Sequence, residues 1–202
     1  MFWYEEEVTR LERQIEQHDN LSNAVVFYGS SSIRMWNHLS ECFTGLPVLN
    51  LGFGGSTLAA CSWYFDRIMQ NVSAKAIIIY AGDNDLGDNR HPEEVFIYFK
   101  QLMIQIQQRF GHIPIGFMSI KPSYNRWHFI EQIKFTNKII QSEIGKMPPN
   151  VTFIDIYHSM LDANGYPKME YLLQDGLHIS KEGYTCWHKC IQEQFILPYR
   201  LA

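Results

Sequence analysis

Two short stretches, far apart in the chain, carry side chains of the kind that transfer acyl groups. The first is "VVFYGSSSIRMW" (25–36), in which an apolar run meets Gly29 and then three hydroxyls, Ser30, Ser31 and Ser32. The second is "DGLHIS" (175–180), with Asp175 and His178 three apart just ahead of a helix-like segment. A serine attacks a carbonyl when a base takes its proton. A histidine serves best as that base when a carboxylate on its other nitrogen fixes the tautomer. The oxyanion then needs N–H donors. Two further stretches offer them. In "NLGFGGST" (50–57) the glycines let backbone approach a ligand closely, and in "GDNDLGDN" (82–89) Asn84 could turn its amide into a site. Each stretch alone has a plainer reading: a helix N-cap, a tight turn, an Asx loop and a polar surface loop. Their joint occurrence favours the chemistry.

These side chains can meet only if the fold brings four loops to one edge. Five short runs rich in Val, Ile and Phe read as strands covered on both faces: "AVVFYG" (24–29), "PVLNLG" (47–52), "AIIIYAG" (76–82), "IPIGFMSI" (113–120) and "VTFIDI" (151–156). Amphipathic segments lie between them. One places Val95, Phe99, Met103 and Ile106 on a single helical face, and another does so with Ile130, Ile133, Asn137 and Ile140. A last helix is expected from Ser180, a good N-cap. Strands alternating with helices imply βαβ units and a parallel sheet. The expectation is one α/β domain over residues 1–202, a three-layer α/β/α sandwich with a five-stranded parallel sheet. In such sheets ligands bind beyond the carboxyl ends of the strands, where all four stretches fall.

Other features weigh less. "KPSYNRW" (121–127), after the fourth run, supplies Lys121, Arg126 and Trp127 to the same edge. Arg126 and Trp127 could line a pocket for an anionic or sugar-bearing substrate, or be a packed loop with a solvated guanidinium. "CWHKC" invites a metal reading, but Cys186 and Cys190 share a helical face that His188 does not, so buried thiols are favoured. "EEE" (5–7) reads as a solvated first helical turn. With 202 residues, 46% of them hydrophobic, the chain can bury a substantial core. The net charge of −4, with no basic block, argues against a nucleic-acid partner. No apolar run is long enough to span a bilayer. Four cysteines without dense spacing, and no signal-peptide core, suit reduced thiols in a cytoplasmic protein.

Taken in order, the four blocks resemble the SGNH (GDSL-type) hydrolases, over nearly the whole chain. "FYGSSSIRMW" matches the first block, whose nucleophile lies two residues after the glycine, which implies Ser31. "NLGFGGST" matches the second and implies Gly55 as an oxyanion donor. "AGDND" matches Gly-x-Asn-Asp and implies Asn84, and "DGLH" matches Asp-x-x-His and implies Asp175 and His178. Ser31 would give its own N–H to the oxyanion hole as well. One departure is visible: Ser30 stands where the family often has Asp. The resemblance further implies a flavodoxin-like strand order, no metal or organic cofactor, a small-molecule ester as substrate, and monomers or homodimers. Within the family the overall look is nearest to bacterial relatives of the platelet-activating-factor acetylhydrolase catalytic subunits. Two rival readings stand beside the esterase. One is an acyltransferase using the same triad on a sugar or other alcohol. The other is a flavodoxin-like module binding a phosphate or flavin at "GSSS".

Overall fold

Each of the five apolar runs contributes a strand in the computed structural model, which describes residues 1–17 and 23–201. In chain order the elements are α1 (Glu5–Glu16), β1 (Ala24–Gly29), α2 (Ser31–Arg34), α3 (Leu39–Cys42), β2 (Val48–Gly52), α4 (Leu58–Met69), β3 (Ala74–Tyr80), α5 (Asp83–Gly87), α6 (Pro92–Phe110), β4 (Ile115–Met118), α7 (Ile130–Ile144), β5 (Val151–Ile154), α8 (Lys181–Ile191) and α9 (Leu197–Tyr199). All strand pairs are parallel and the order is β2-β1-β3-β4-β5, the flavodoxin-like order with its switch point between β1 and β3.

Successive strand residues face opposite layers. Val26, Tyr28, Ile77, Ile79 and Phe117 pack in one core with Leu11 of α1, Phe65 of α4, Phe99 of α6 and Ile140 of α7. Val25, Phe27, Ile78, Tyr80 and Met118 pack in the other with Ile33 of α2, Trp36, Trp187 of α8 and Phe195. Both faces are therefore dry, which is why the strands read as continuous apolar runs rather than alternating ones. The face expected on α6 (Val95, Phe99, Met103, Ile106) is buried as a unit.

The strands stop short of the apolar runs at three carboxyl ends, those of β3, β4 and β5. Beyond Tyr80 the chain bends at Gly82 into α5. Beyond Met118 the backbone leaves the sheet, and the Ile120 N–H and carbonyl bond instead to the Asn137 side chain (2.7 and 2.9 Å). Asn137 thus acts as one more rung, which explains an amide on the apolar face of α7. Ser180 caps α8 as expected, its hydroxyl accepting the Gly183 N–H at 3.1 Å. Among the described residues no helix is long and apolar enough to cross a membrane.

Candidate active site

The turn from β1 into α2 depends on Gly29. Its φ of 141° lies in a region that glycine tolerates, and a Cβ there would sit 1.9 Å from the Tyr80 carbonyl oxygen. The Ser30 N–H bonds that same carbonyl at 2.9 Å, and α2 begins one residue later. The three hydroxyls then have different fates. Ser30 holds the N-cap position, but its buried hydroxyl makes no capping bond and has no partner among the described residues. Ser32 is buried, and its carbonyl accepts the Tyr184 hydroxyl at 2.8 Å. Ser31 is half-buried at the start of α2, with Oγ 3.3 Å from His178 Nε2. Of the three, it is the one that reaches the imidazole.

In "DGLH" a polar turn and the carboxylate–imidazole pair are one structure. Asp175 Oδ1 accepts the N–H groups of Leu177 and His178, both at 2.9 Å, which closes the turn. Its Oδ2 lies 2.6 Å from His178 Nδ1. One carboxylate therefore fixes the loop and the ring together. Partial burial pushes the Asp175 carboxyl up. The His178 ring and the two backbone donors outweigh that and hold it down at about 2. It therefore stays ionised across the neutral range. The opposite side of the loop is tied to "KPSYNRW" by the Asn125 N–H on the Gly176 carbonyl at 3.0 Å.

The other two loops complete the cluster. Gly55 adopts φ 67°, and its N–H, like that of Ser31, bonds no acceptor among the described residues. Asn84 Nδ2 donates to the Ser56 carbonyl at 3.1 Å, which holds the amide while leaving its second hydrogen free. Ser56 Oγ donates to the Gly29 carbonyl at 2.9 Å, tying the glycine turn to the β1 end. The arrangement offers a hydroxyl beside a base, a carboxylate behind the base, and free N–H donors.

Three features lay outside sequence reasoning. First, "EEE" opens α1 as a solvated turn only in part: Glu5 and Glu6 are exposed, whereas Glu7 is half-buried. Glu7 accepts the Gly54 N–H at 3.2 Å and pairs with Arg10 and Arg34 (3.1 and 3.5 Å), and Glu5 pairs with Arg67 at 2.6 Å. Just ahead of it, the Tyr4 hydroxyl donates to the Gly55 carbonyl at 3.0 Å. Residues 4 and 7 thus clamp the peptides on either side of the Gly54–Gly55 bond, whose N–H is the free one. Second, Lys121 turns inward. It is buried, its Nζ 2.7 Å from Asp83 and 3.1 Å from the Tyr80 hydroxyl. Burial pushes the Asp83 carboxyl up, but Lys121 outweighs it and holds the group below its ordinary value. Asp83 in turn accepts the Asn84 N–H at 3.1 Å. Third, the buried Asp85 carboxylate accepts the Leu58 N–H at 2.7 Å and so fastens α5 to the start of α4.

Trp127 and Arg126 are both half-buried. Trp127 stacks on Tyr166 with ring centroids 5.1 Å apart, and Arg126 lies against Gly87 of α5. Cys190 is buried and Cys186 partly so, and both sulfurs bond to Ser159 (3.3 and 3.7 Å). No three His, Cys, Asp or Glu side chains among the described residues converge as metal ligands. A second Asp–His pair, Asp155 and His158, repeats the ring–carboxylate distance of 2.6 Å. Near it, however, Ser119 Oγ is occupied by the Ile156 and Tyr157 N–H groups, so the pair alone makes no such cluster.

A model of the GDSL-like Lipase/Acylhydrolase family matches residues 20–186. Comparison with curated proteins gives no match. Several solved structures share the fold. A Streptococcus pneumonia protein provisionally named a platelet activating factor has a TM-score of 0.83 at 22% identity, over 94% of this chain and 91% of that one. A GDSL-like lipase from Bacteroides thetaiotaomicron has a TM-score of 0.73 at 21% identity, over 92% and 95%. The Clostridium thermocellum family 3 carbohydrate esterase has 0.70 at 16%, over 89% and 98%. At these identities the likeness is one of fold.

Proposed function

The chain belongs to the GDSL-like lipase/acylhydrolase family, whose chemistry is the hydrolysis of carboxylic esters, and on that footing we propose that it is a serine esterase working through Ser31, His178 and Asp175. The observation that carries this reading is the chain of contacts from Ser31 Oγ through His178 Nε2 (3.3 Å) and Nδ1 to Asp175 (2.6 Å). At 3.3 Å the Ser31–His178 contact is within hydrogen-bond reach, as proton transfer from the hydroxyl requires.

In this mechanism the imidazole takes the Ser31 proton as Oγ attacks the ester carbonyl. Asp175 stabilises the resulting imidazolium without itself being protonated, in keeping with its depressed pKa. The Ser31 and Gly55 N–H groups and the second Asn84 amide hydrogen meet the oxyanion. His178 then returns its proton to the leaving alcohol, and water resolves the acyl-enzyme by the reverse sequence. The Ser30 hydroxyl, standing in the family's Asp position, takes no part, since it is buried and bonds nothing among the described residues. The narrower part of the proposal is a short acyl chain on a small ester.

The experiment is hydrolysis of p-nitrophenyl esters of two to twelve carbons by the protein and by Ser31→Ala, alongside labelling with a fluorophosphonate. The parent protein is expected to favour the shortest chains and to be labelled at Ser31. The Ser31→Ala variant is expected to be inert with an unchanged melting temperature. Full activity in Ser31→Ala would overturn the reading, and equal rates along the series would overturn the chain-length part.

A further inference from the structure

Arg126 lies on the side of the site formed by α5. A Cβ at Gly87 would be 2.3 Å from its Cζ and 2.4 and 2.5 Å from its two terminal nitrogens. The guanidinium therefore occupies the space that any side chain at position 87 would fill. Gly87 and Asn84 are three apart on α5, so they share a helical face, with Cβ positions about 5–6 Å apart. The guanidinium thus lies about one helical turn along α5 from Asn84. From the other direction, the residue before it anchors the triad loop through the Asn125 N–H on Gly176.

Despite this position the guanidinium is unpartnered. Among the described residues no carboxylate lies within ion-pair distance of Arg126 and no acceptor bonds its side chain, and its Nε is buried without a partner. The acid in its field, Asp83, is already held by Lys121 at 2.7 Å. The buried Nε–H has nothing to donate to, which is costly unless a ligand completes it, and the two terminal nitrogens of the half-exposed fork are open to pair with an anionic oxygen pair.

We propose that Arg126 is the residue that selects an ester carrying an anionic group, which it receives beside the oxyanion site. This rests on the reading of Ser31 and Asn84 as parts of an esterase site. The substrate class is then a carboxylate-bearing ester, with the charge on either the acyl or the alcohol part. Gly87 belongs to the device, because a side chain there would displace the guanidinium.

The test compares two pairs of esters. p-Nitrophenyl hemisuccinate against p-nitrophenyl butyrate places the charge on the acyl side, and 4-carboxyphenyl acetate against phenyl acetate places it on the alcohol side. The quantity read is the ratio of kcat/KM for charged over neutral ester. In Arg126→Gln this ratio should fall about ten- to a hundredfold for one of the pairs, the size expected for losing a charge-assisted contact. The loss should fall mainly in KM and weaken in high salt. The pair affected tells which side carries the charge. Gly87→Ala should lower the same ratio with Arg126 still present, and Arg126→Lys should restore part of it. Equal losses on charged and neutral esters would mean that Arg126 only supports the loop, and no loss on either pair would mean that it meets no anion. Both outcomes overturn the proposal. Ser31→Ala, assayed on phenyl acetate, checks the underlying esterase reading separately.

Discussion

Replacing Asp85 by Asn should change how stability depends on pH, by an amount the structure sets. The carboxyl is fully buried at the junction of α5 and α4. Burial pushes it up, the Leu58 and Ala59 N–H groups pull it down, and burial prevails, leaving it at about 6 against an ordinary 3.8. A group whose folded pKa is raised favours the native state fully at pH below its unfolded pKa. That contribution is lost as pH climbs through the folded value. The total is about 2 pKa units, or about 3 kcal/mol, of which about 2 kcal/mol falls between pH 4.5 and 7.5. Asn has nearly the same shape, and its Oδ1 can keep the Leu58 bond, but it does not titrate. Urea unfolding of both proteins at several pH values in this window isolates the effect, because all other groups cancel in the difference. The margin of the parent over Asp85→Asn should shrink by about 2 kcal/mol from pH 4.5 to 7.5. A constant margin would show that Asp85 titrates normally, and a growing one would show that the helix N–H groups outweigh burial. Ester hydrolysis measured in parallel tells whether loosening this junction also moves Asn84, the adjacent residue.

The remaining predictions concern the same loops. Asn84→Ala should lower kcat by about 10²–10³ with little change in KM, as loss of one oxyanion donor does; an effect on KM alone in steady-state assays would count against that role. Tyr4→Phe combined with Glu7→Ala should lower kcat well beyond any change in KM, because it frees the peptides on both sides of the Gly55 N–H. Unaltered turnover would show that the glycine turn holds itself. Lys121→Met strands a buried Asp83 carboxylate and should cost about 3–5 kcal/mol, seen as a melting temperature lower by roughly 6–20 °C. Adding Asp83→Leu should recover much of that loss, and equal melting of single and double variants would argue against the pairing.

The parts of the site that could be read from sequence are those whose signal is local. Asp175 and His178 lie three apart and close a turn on themselves, so their spacing pointed to the pair, whereas the choice of Ser31 among the three serines after Gly29 came from the resemblance. The parallel sheet followed from the alternation of apolar runs and helices, and the strand order from the resemblance. The supports could not be read the same way, because their partners are remote. Tyr4 meets Gly55 across 51 positions, and Glu7 meets Gly54 across 47. Nothing in "FWYEEE" distinguishes a carboxylate that caps a distant peptide from one that faces water. The burial of Lys121 could not be read for a related reason. A lysine after a strand usually snorkels to solvent, and only the position of Asp83 on the neighbouring loop keeps it inside. The N-cap reading was open to any of the three serines; Ser30 holds that position, but its hydroxyl is buried and makes no capping bond.

The first helix also settles what happens at the rim of the sheet. β2 is an outermost strand, and two of its outward carbonyls are already engaged, Asn50 by Gln14 at 3.1 Å and Gly52 by Arg10 at 2.9 Å. An open rim of this kind is where a second polypeptide can add itself as a further strand and start aggregation. Here two long polar side chains cover it, so the loop that presents Gly55 leaves a border already closed to strangers.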